Sequence, residues 1–144
     1  MIKLLKGSYH LDSRGILIFN NDFDFNDIKR SYLVSNKNTD IVRAWHGHKF
    51  ECKYFLVVKG AFQISTVKIN NFKKPSKKSV ISNHFLKDLT GDILFVPGGY
   101  ANGFKALYPD SILQIFSTSS IEESLKDDYR YPFDYWDVWS EENF

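Results

Sequence analysis

An all-β fold is what this sequence predicts, and three observations predict it. Short apolar segments recur along the whole chain, each closed by Gly, Pro, Asn, Asp or Ser. No interior segment keeps a 3.6-residue hydrophobic period for the roughly ten residues a convincing helix needs. No internal repeat or linker divides the chain, so a single domain over residues 1–144, a sandwich or barrel, is expected.

Taken in order, Ile2–Leu5 leads into the turn residues Asp12-Ser13-Arg14-Gly15, then Ile16–Phe19, then the Asn- and Asp-rich Asn20–Asp24. Lys29–Val34 alternates loosely and ends in Ser35-Asn36-Lys37-Asn38. Further strands are predicted at Ile41–His48, Lys53–Val58, Phe62–Ile69, Val80–Leu86, Ile93–Val96, Gly103–Leu107 and Ile112–Phe116. Pro97-Gly98-Gly99 and Tyr108-Pro109-Asp110-Ser111 separate the last three, as turn chemistry requires. Ser120 with Glu123 three residues on can cap one helical turn. The aromatic-rich span from Tyr129 to Trp139 is too apolar for a free tail in water. It is expected to pack as a lid across the sheet or against a second subunit, with base stacking as the functional alternative.

Composition narrows the function classes. The chain is 43% hydrophobic with a net charge of +2, which excludes disorder. Its 19 basic and 17 acidic residues are too balanced to argue for nucleic acid, and Lys73–Lys78 reads as a solvated loop. A lone cysteine, Cys52, excludes an internal disulfide and fits a reducing compartment; Tyr54 and Phe55 beside it suggest a small buried hydrophobe. No segment reads as a signal peptide or reaches membrane-spanning length, so a cytoplasmic protein with no membrane partner is expected.

Arg43-Ala44-Trp45-His46-Gly47-His48-Lys49 carries the chemistry. In an extended strand Trp45 and Gly47 face one way while His46 and His48 face the other. Two imidazoles on one sheet face suit a metal site or a base working near neutral pH. A pair of satisfied polar side chains in a barrel mouth is the bland alternative.

This stretch resembles the first conserved motif of the cupins, and Pro97-Gly98-Gly99-Tyr100-Ala101-Asn102 resembles the second. The resemblance implies a cupin-type jelly-roll β-barrel with a short C-terminal aromatic tail. Metal-binding cupins carry two His and a Glu in the first motif and a third His in the second. Here His46 and His48 match, but Lys53 stands at the Glu position and Asn102 at the last His. An ammonium has no lone pair to give and repels a cation, so no metal and no cofactor are expected. His46, His48 and Glu51 are the residual ligand set.

Within the cupins the sequence resembles the dTDP-4-dehydrorhamnose 3,5-epimerases. Asp12-Ser13-Arg14-Gly15 is similar to their Asp-x-Arg-Gly, Arg43–His46 to their Arg-Gly-Leu-His, and Pro97–Phe104 to their Pro-x-Gly-Phe-Ala-His-Gly-Phe. The likeness implies a nucleotide-sugar substrate, dTDP-linked. It makes His46 the base that takes a proton beside the 4-keto group and Lys53 the group that holds the enolate. Arg43 and Arg14 would bind the pyrophosphate, with Asn102 and Tyr100 lining the sugar site. In the family the Arg matching Arg14 reaches across from an exchanged N-terminal segment, which implies a homodimer. The family's acid Tyr is missing from Leu113-Gln114-Ile115-Phe116, and its Asp partner for the base lies in a longer C-terminal extension. Epimerisation at a single centre fits better, with Tyr54, Tyr100, Tyr129 and Tyr131 as candidate acids.

Arg43–Lys49 also resembles the Arg-Gly-x-His-x-His-Lys of dTDP-sugar 3,4-ketoisomerases, in which both His shuttle protons. That makes His48 a second catalytic candidate. A non-catalytic sugar-nucleotide-binding cupin and a metal-dependent cupin dioxygenase are the readings from other classes.

Overall fold

The computed structural model describes residues 1–140. In chain order the strands are β1 (Lys3–Leu5), β2 (Ser8–Asp12), β3 (Gly15–Phe19), β4 (Arg30–Val34), β5 (Val42–His48) and β6 (Lys53–Lys59). They continue as β7 (Ala61–Lys68), β8 (Ile81–Lys87), β9 (Ile93–Val96), β10 (Tyr100–Ala106) and β11 (Ile112–Ser117). One short helix, α1 (Ile121–Leu125), and a last strand, β12 (Tyr129–Arg130), complete it. The strands form two antiparallel five-stranded sheets, ordered β1-β9-β6-β11-β4 and β12-β5-β10-β7-β8, with β2–β3 as a separate hairpin. The all-β jelly roll expected from the sequence is the architecture observed.

Period-two alternation explains how the sheets close. In β6, Phe55 and Val57 point inward; in β9, Leu94 and Val96; in β11, Leu113 and Ile115. From the facing sheet come Phe62 and Ile64 of β7, Leu86 of β8, and Phe104 and Ala106 of β10. These buried side chains form one core between the sheets, the main stabilising term of a sandwich.

The alternate residues of the second sheet build a smaller core on its outer side. Trp45, Val67 and Ala101 pack there under Trp136 and Trp139 of the C-terminal segment. Trp45 is 1% exposed, lies 5.3 Å edge-on from Trp136 and 5.2 Å from Trp139, and donates its indole N–H to the Phe133 carbonyl. The aromatic tail is therefore packed across the sheet, and Trp136 and Trp139 are too buried to stack on a base. Gly103 makes this possible: a Cβ there would sit 2.4 Å from Ala44 and 2.9 Å from Trp139.

Two strands escaped the sequence reading. Ser8–Asp12 has no apolar run and is exposed along almost its whole length. Tyr129–Arg130 is only two residues, held in extended form by pairing with β5 at Gly47 and His46. Cys52, expected to be buried, is partly exposed, its thiol turned toward the Phe50 carbonyl. The capping box is present, with Ser120 and Glu123 each satisfying the other's backbone N–H. Among the described residues no helix is long and apolar enough to cross a membrane.

Truncating Trp45 to Ala should cost about 3–5 kcal/mol, because the tail rings cannot collapse into so large a hole. Urea unfolding should show the lower midpoint, and hydrogen exchange should show residues 129–139 losing protection first.

Candidate active site

Between the sheets, at one end of the core, lies a cavity of about 260 Å³. One wall is built by Arg43, His46 and His48 of β5, Asn102 and Phe104 of β10, and Arg130 of β12. The other is built by Arg30, Tyr32 and Val34 of β4, Lys53 of β6 and Ile115 of β11. Ser124 and Leu125 of α1, with Asp128, complete the rim.

Strict alternation would turn Arg43 away from His46, onto the Trp45 side. It does not, because the register of β5 on β10 shifts between the Asn102↔His46 and Phe104↔Arg43 pairs. The extra residue on β5 is a bulge, and a bulge re-aims the side chains beyond it. Arg43 is then fixed by a 2.7 Å bond from its Nε to the Asn36 side-chain oxygen.

His48 is held in one tautomer. Its Nδ1 lies 2.7 Å from the Asp127 carbonyl oxygen, which can only accept, so Nδ1 carries the proton. The neutral ring thus keeps its lone pair on Nε2, which is buried without a hydrogen-bond partner among the described residues. Asp127 also fixes the chain that follows: its carboxylate accepts the backbone N–H of Lys49, Phe50 and Glu51 at 2.7, 2.9 and 2.9 Å. Burial and the Lys53 charge push the His48 ring below its usual range, against the pull of the Asp127 carbonyl. His46 is lowered from 6.5 to about 4 by burial, then by the nearby positive charges of Lys53 and Arg130. Both rings are neutral at pH 7 and available as bases.

Lys53, 8% exposed, stands opposite them. Burial pushes its ammonium below the usual lysine range, and Glu51, 4.0 Å away, pulls in the opposite direction. Glu51 is itself fully buried and accepts from Arg30 at 3.2 Å and from the Ser117 hydroxyl at 2.8 Å. Burial alone would raise its carboxyl; the Ser124 hydroxyl, Lys53, His48 and Ser117 outweigh that and keep it below the ordinary range. Beside His46, the Asn102 side-chain oxygen is buried with no donor from the described residues.

No protein-family model and no curated protein matches the sequence. Solved structures do match the fold. A dTDP-4-dehydrorhamnose 3,5-epimerase from Sulfolobus tokodaii superposes with a TM-score of 0.76 at 24% identity, covering 98% of this chain and 82% of that one. A TDP-quinovose 3,4-ketoisomerase from Campylobacter jejuni gives 0.69 at 19%, covering 93% and 95%. A 3'-monoepimerase from Streptomyces bikiniensis, in complex with dTDP-quinovose, gives 0.75 at 15%, covering 97% and 75%. This chain has the cupin-type jelly roll of those enzymes. The structural neighbours come from the same two enzyme families that the sequence motifs resemble.

Of the residues singled out in the sequence, the fold brings His46, His48, Lys53, Arg43 and Asn102 into the cavity. Arg14 is elsewhere: it sits at the exposed turn of the β2–β3 hairpin, 2.7 Å from Asp12. Tyr100 packs against the main core and is not one of the cavity-lining side chains. Tyr54 lies among the rings of Phe23 and Phe95, Tyr129 against Phe72, and Tyr131 donates to the Phe72 carbonyl, so none of these candidate acids reaches the cavity. Sequence reasoning missed Arg30, Tyr32, Asp128 and Arg130. The loose alternation of Lys29–Val34 was the one available signal for the first two, since it puts Arg30, Tyr32 and Val34 on one face.

Because the folded His46 titrates below the unfolded ring, its contribution to stability is complete above pH 6.5 and is lost as pH falls toward about 4. Carbon-13 NMR of the labelled imidazole should give a midpoint near 4. His46→Gln should flatten part of the acid limb of stability between those values. A midpoint at the ordinary value would contradict the burial and charge argument.

Proposed function

We propose that this cavity is the active site of an isomerase acting on a nucleotide-linked 4-keto-6-deoxy sugar, epimerising C3, C5 or both through an enolate. The observation that carries the reading is an opposed pair: neutral imidazoles on one wall and the buried Lys53 ammonium on the other. A proton beside a ketone becomes removable when the developing oxyanion meets a positive charge already in place. His46 takes the proton, Lys53 holds the enolate oxygen, and the Asn102 oxygen accepts from a sugar hydroxyl. Arg43 and Arg130 give the cavity cations suited to a pyrophosphate, a guanidinium spanning two oxygens at once. A TDP-linked substrate agrees with the ligand of the Streptomyces neighbour.

A ketoisomerase is the second reading, and one observation favours it. His48, with its proton fixed on Nδ1 and its Nε2 free, lies on the same wall as His46. Two bases on one face can pass a proton between adjacent carbons without inversion.

The chemistry proposed needs no metal, because Lys53 places a positive charge where a cation would have to sit. The homodimer is proposed on the hairpin: β2–β3 joins neither main sheet, and Leu11 and Leu17 are 68% and 63% exposed. A second copy covering this arm would bring Arg14 to the neighbouring cavity.

Incubation with dTDP-4-keto-6-deoxyglucose in deuterated water tests the function. Deuterium at C3 or C5 with the 4-keto group kept is the outcome expected; ketone migration to C3 selects the second reading, and no exchange at any carbon sinks both. Excess EDTA should leave the rate unchanged. Lys53→Met should slow exchange about 10²–10³-fold, the loss typical of removing one preorganised oxyanion donor, with TDP affinity nearly intact.

A further inference from the structure

The two cavity walls differ in chemistry in a way that bears on stereochemical outcome. Inversion at a carbon beside a ketone needs a base on one face of the planar enolate and a proton donor on the other. His46 and His48 both belong to β5 and both lie on the same wall. Returning a proton from that wall only restores the starting configuration. The donor for inversion has to come from the β4–β11–β6 sheet.

On that sheet Tyr32 is the tyrosine that lines the cavity among the described residues. It sits on β4, paired with Ile115 of β11, and Ile115 lines the cavity beside it. Lys53 on that wall is tied to the Glu51 carboxylate at 4.0 Å, and the Arg30 guanidinium does not give up its proton. The Arg30 guanidinium lies 5.3 Å from the Tyr32 ring centre, close enough to favour a phenolate left behind. We propose that Tyr32 is the catalytic acid that delivers a proton to the enolate face opposite the imidazoles. The assignment rests on the isomerase reading above.

The step balances without any co-reactant. The C–H bond breaks, its electron pair enters the enolate, and the proton goes to an imidazole nitrogen. The Tyr32 O–H bond then breaks, its proton joins the carbon from the other face, and the ketone re-forms. Imidazolium and phenolate remain, and water restores both by taking one proton and giving one. Burial holds the phenol above its ordinary value of 10.0, so the donor is protonated throughout the neutral range. Tyr32 has no sequence motif of its own. It is found only because β4 lies across the cavity from β5.

Tyr32→Phe tests this, with dTDP-4-keto-6-deoxyglucose in deuterated water and NMR reading both isotope and configuration. The expected result is separation of two rates. Deuterium still enters within about threefold of the wild-type rate but with configuration retained, while inverted product falls at least about 100-fold, as loss of a positioned acid predicts. TDP affinity by calorimetry should be unchanged. Inverted product at an undiminished rate would overturn the assignment and leave the isomerase reading standing. Equal loss of exchange and inversion would make Tyr32 a positioning group and overturn it too. Wild-type protein that exchanges nothing, or moves the ketone without inversion, removes the epimerase reading and this acid with it. If the Phe variant fails to fold, 3-fluorotyrosine at position 32 keeps the shape and makes the phenol more acidic. The alkaline limb of the inversion rate should then move to lower pH, and an unmoved limb counts against Tyr32.

Discussion

Asp127 ties the C-terminal segment to β5, and the geometry of the cavity depends on that tie. Its carboxylate collects three consecutive backbone N–H groups at the end of β5, and its own carbonyl receives the His48 ring proton. A charge-assisted bond is worth about 1.5–3 kcal/mol, and here one buried residue makes several. Without it the turn between His48 and Lys53 would have three donors with no acceptor. The imidazole would also lose the contact that selects its tautomer. Two residues later the same segment becomes β12, whose Arg130 pairs with His46. The aromatic cluster on the outer face then holds the tail in place, so packing on one side of the sheet fixes chemistry on the other.

The charges inside the cavity form a connected set. Glu51, wholly buried, is the anion that lets two cations stay in a dry place: Arg30 at 3.2 Å and Lys53 at 4.0 Å. A buried ammonium alone would give up its proton. A buried carboxylate alone would take one up. Glu51 opposes the loss of the Lys53 proton, and Lys53 helps hold Glu51 ionised. Burial first, and the neighbouring positive charge of Lys53 second, keep both imidazoles neutral, and a cationic wall faces them across the cavity.

How much of this could be read from the sequence depends on whether a contact is local. Strand positions follow from alternation within a few residues, so Phe55, Phe62 and Leu113 declare themselves as core. His46, His48 and Lys53 were legible because they share one motif and one strand–turn–strand unit. Tyr100 packs against the main core, a depth its motif does not encode, since the motif says only which strand it lies on. Arg30 and Tyr32 lie 16 and 14 residues before His46, on a strand of the opposite sheet. Asp127 and Arg130 follow it by about eighty residues, in a segment too short and irregular to announce a strand. The fold brings these parts together through sheet packing, which no local pattern encodes.

The same geometry limits what a His-x-His pair can do by itself. Residues i and i+2 of a strand share a face, so both imidazoles meet the cavity from one side. Such a pair can remove a proton, return it, or hand it to the next carbon, but it cannot invert a centre. Inversion requires a donor from a strand of the other sheet, and in a two-sheet fold that strand is distant in sequence. The motif that carries the imidazoles is thus silent about what faces them. The difference between an epimerase and a ketoisomerase on this scaffold lies in what the facing wall offers. Here that wall offers a phenol beside a guanidinium, with Lys53 on the same wall.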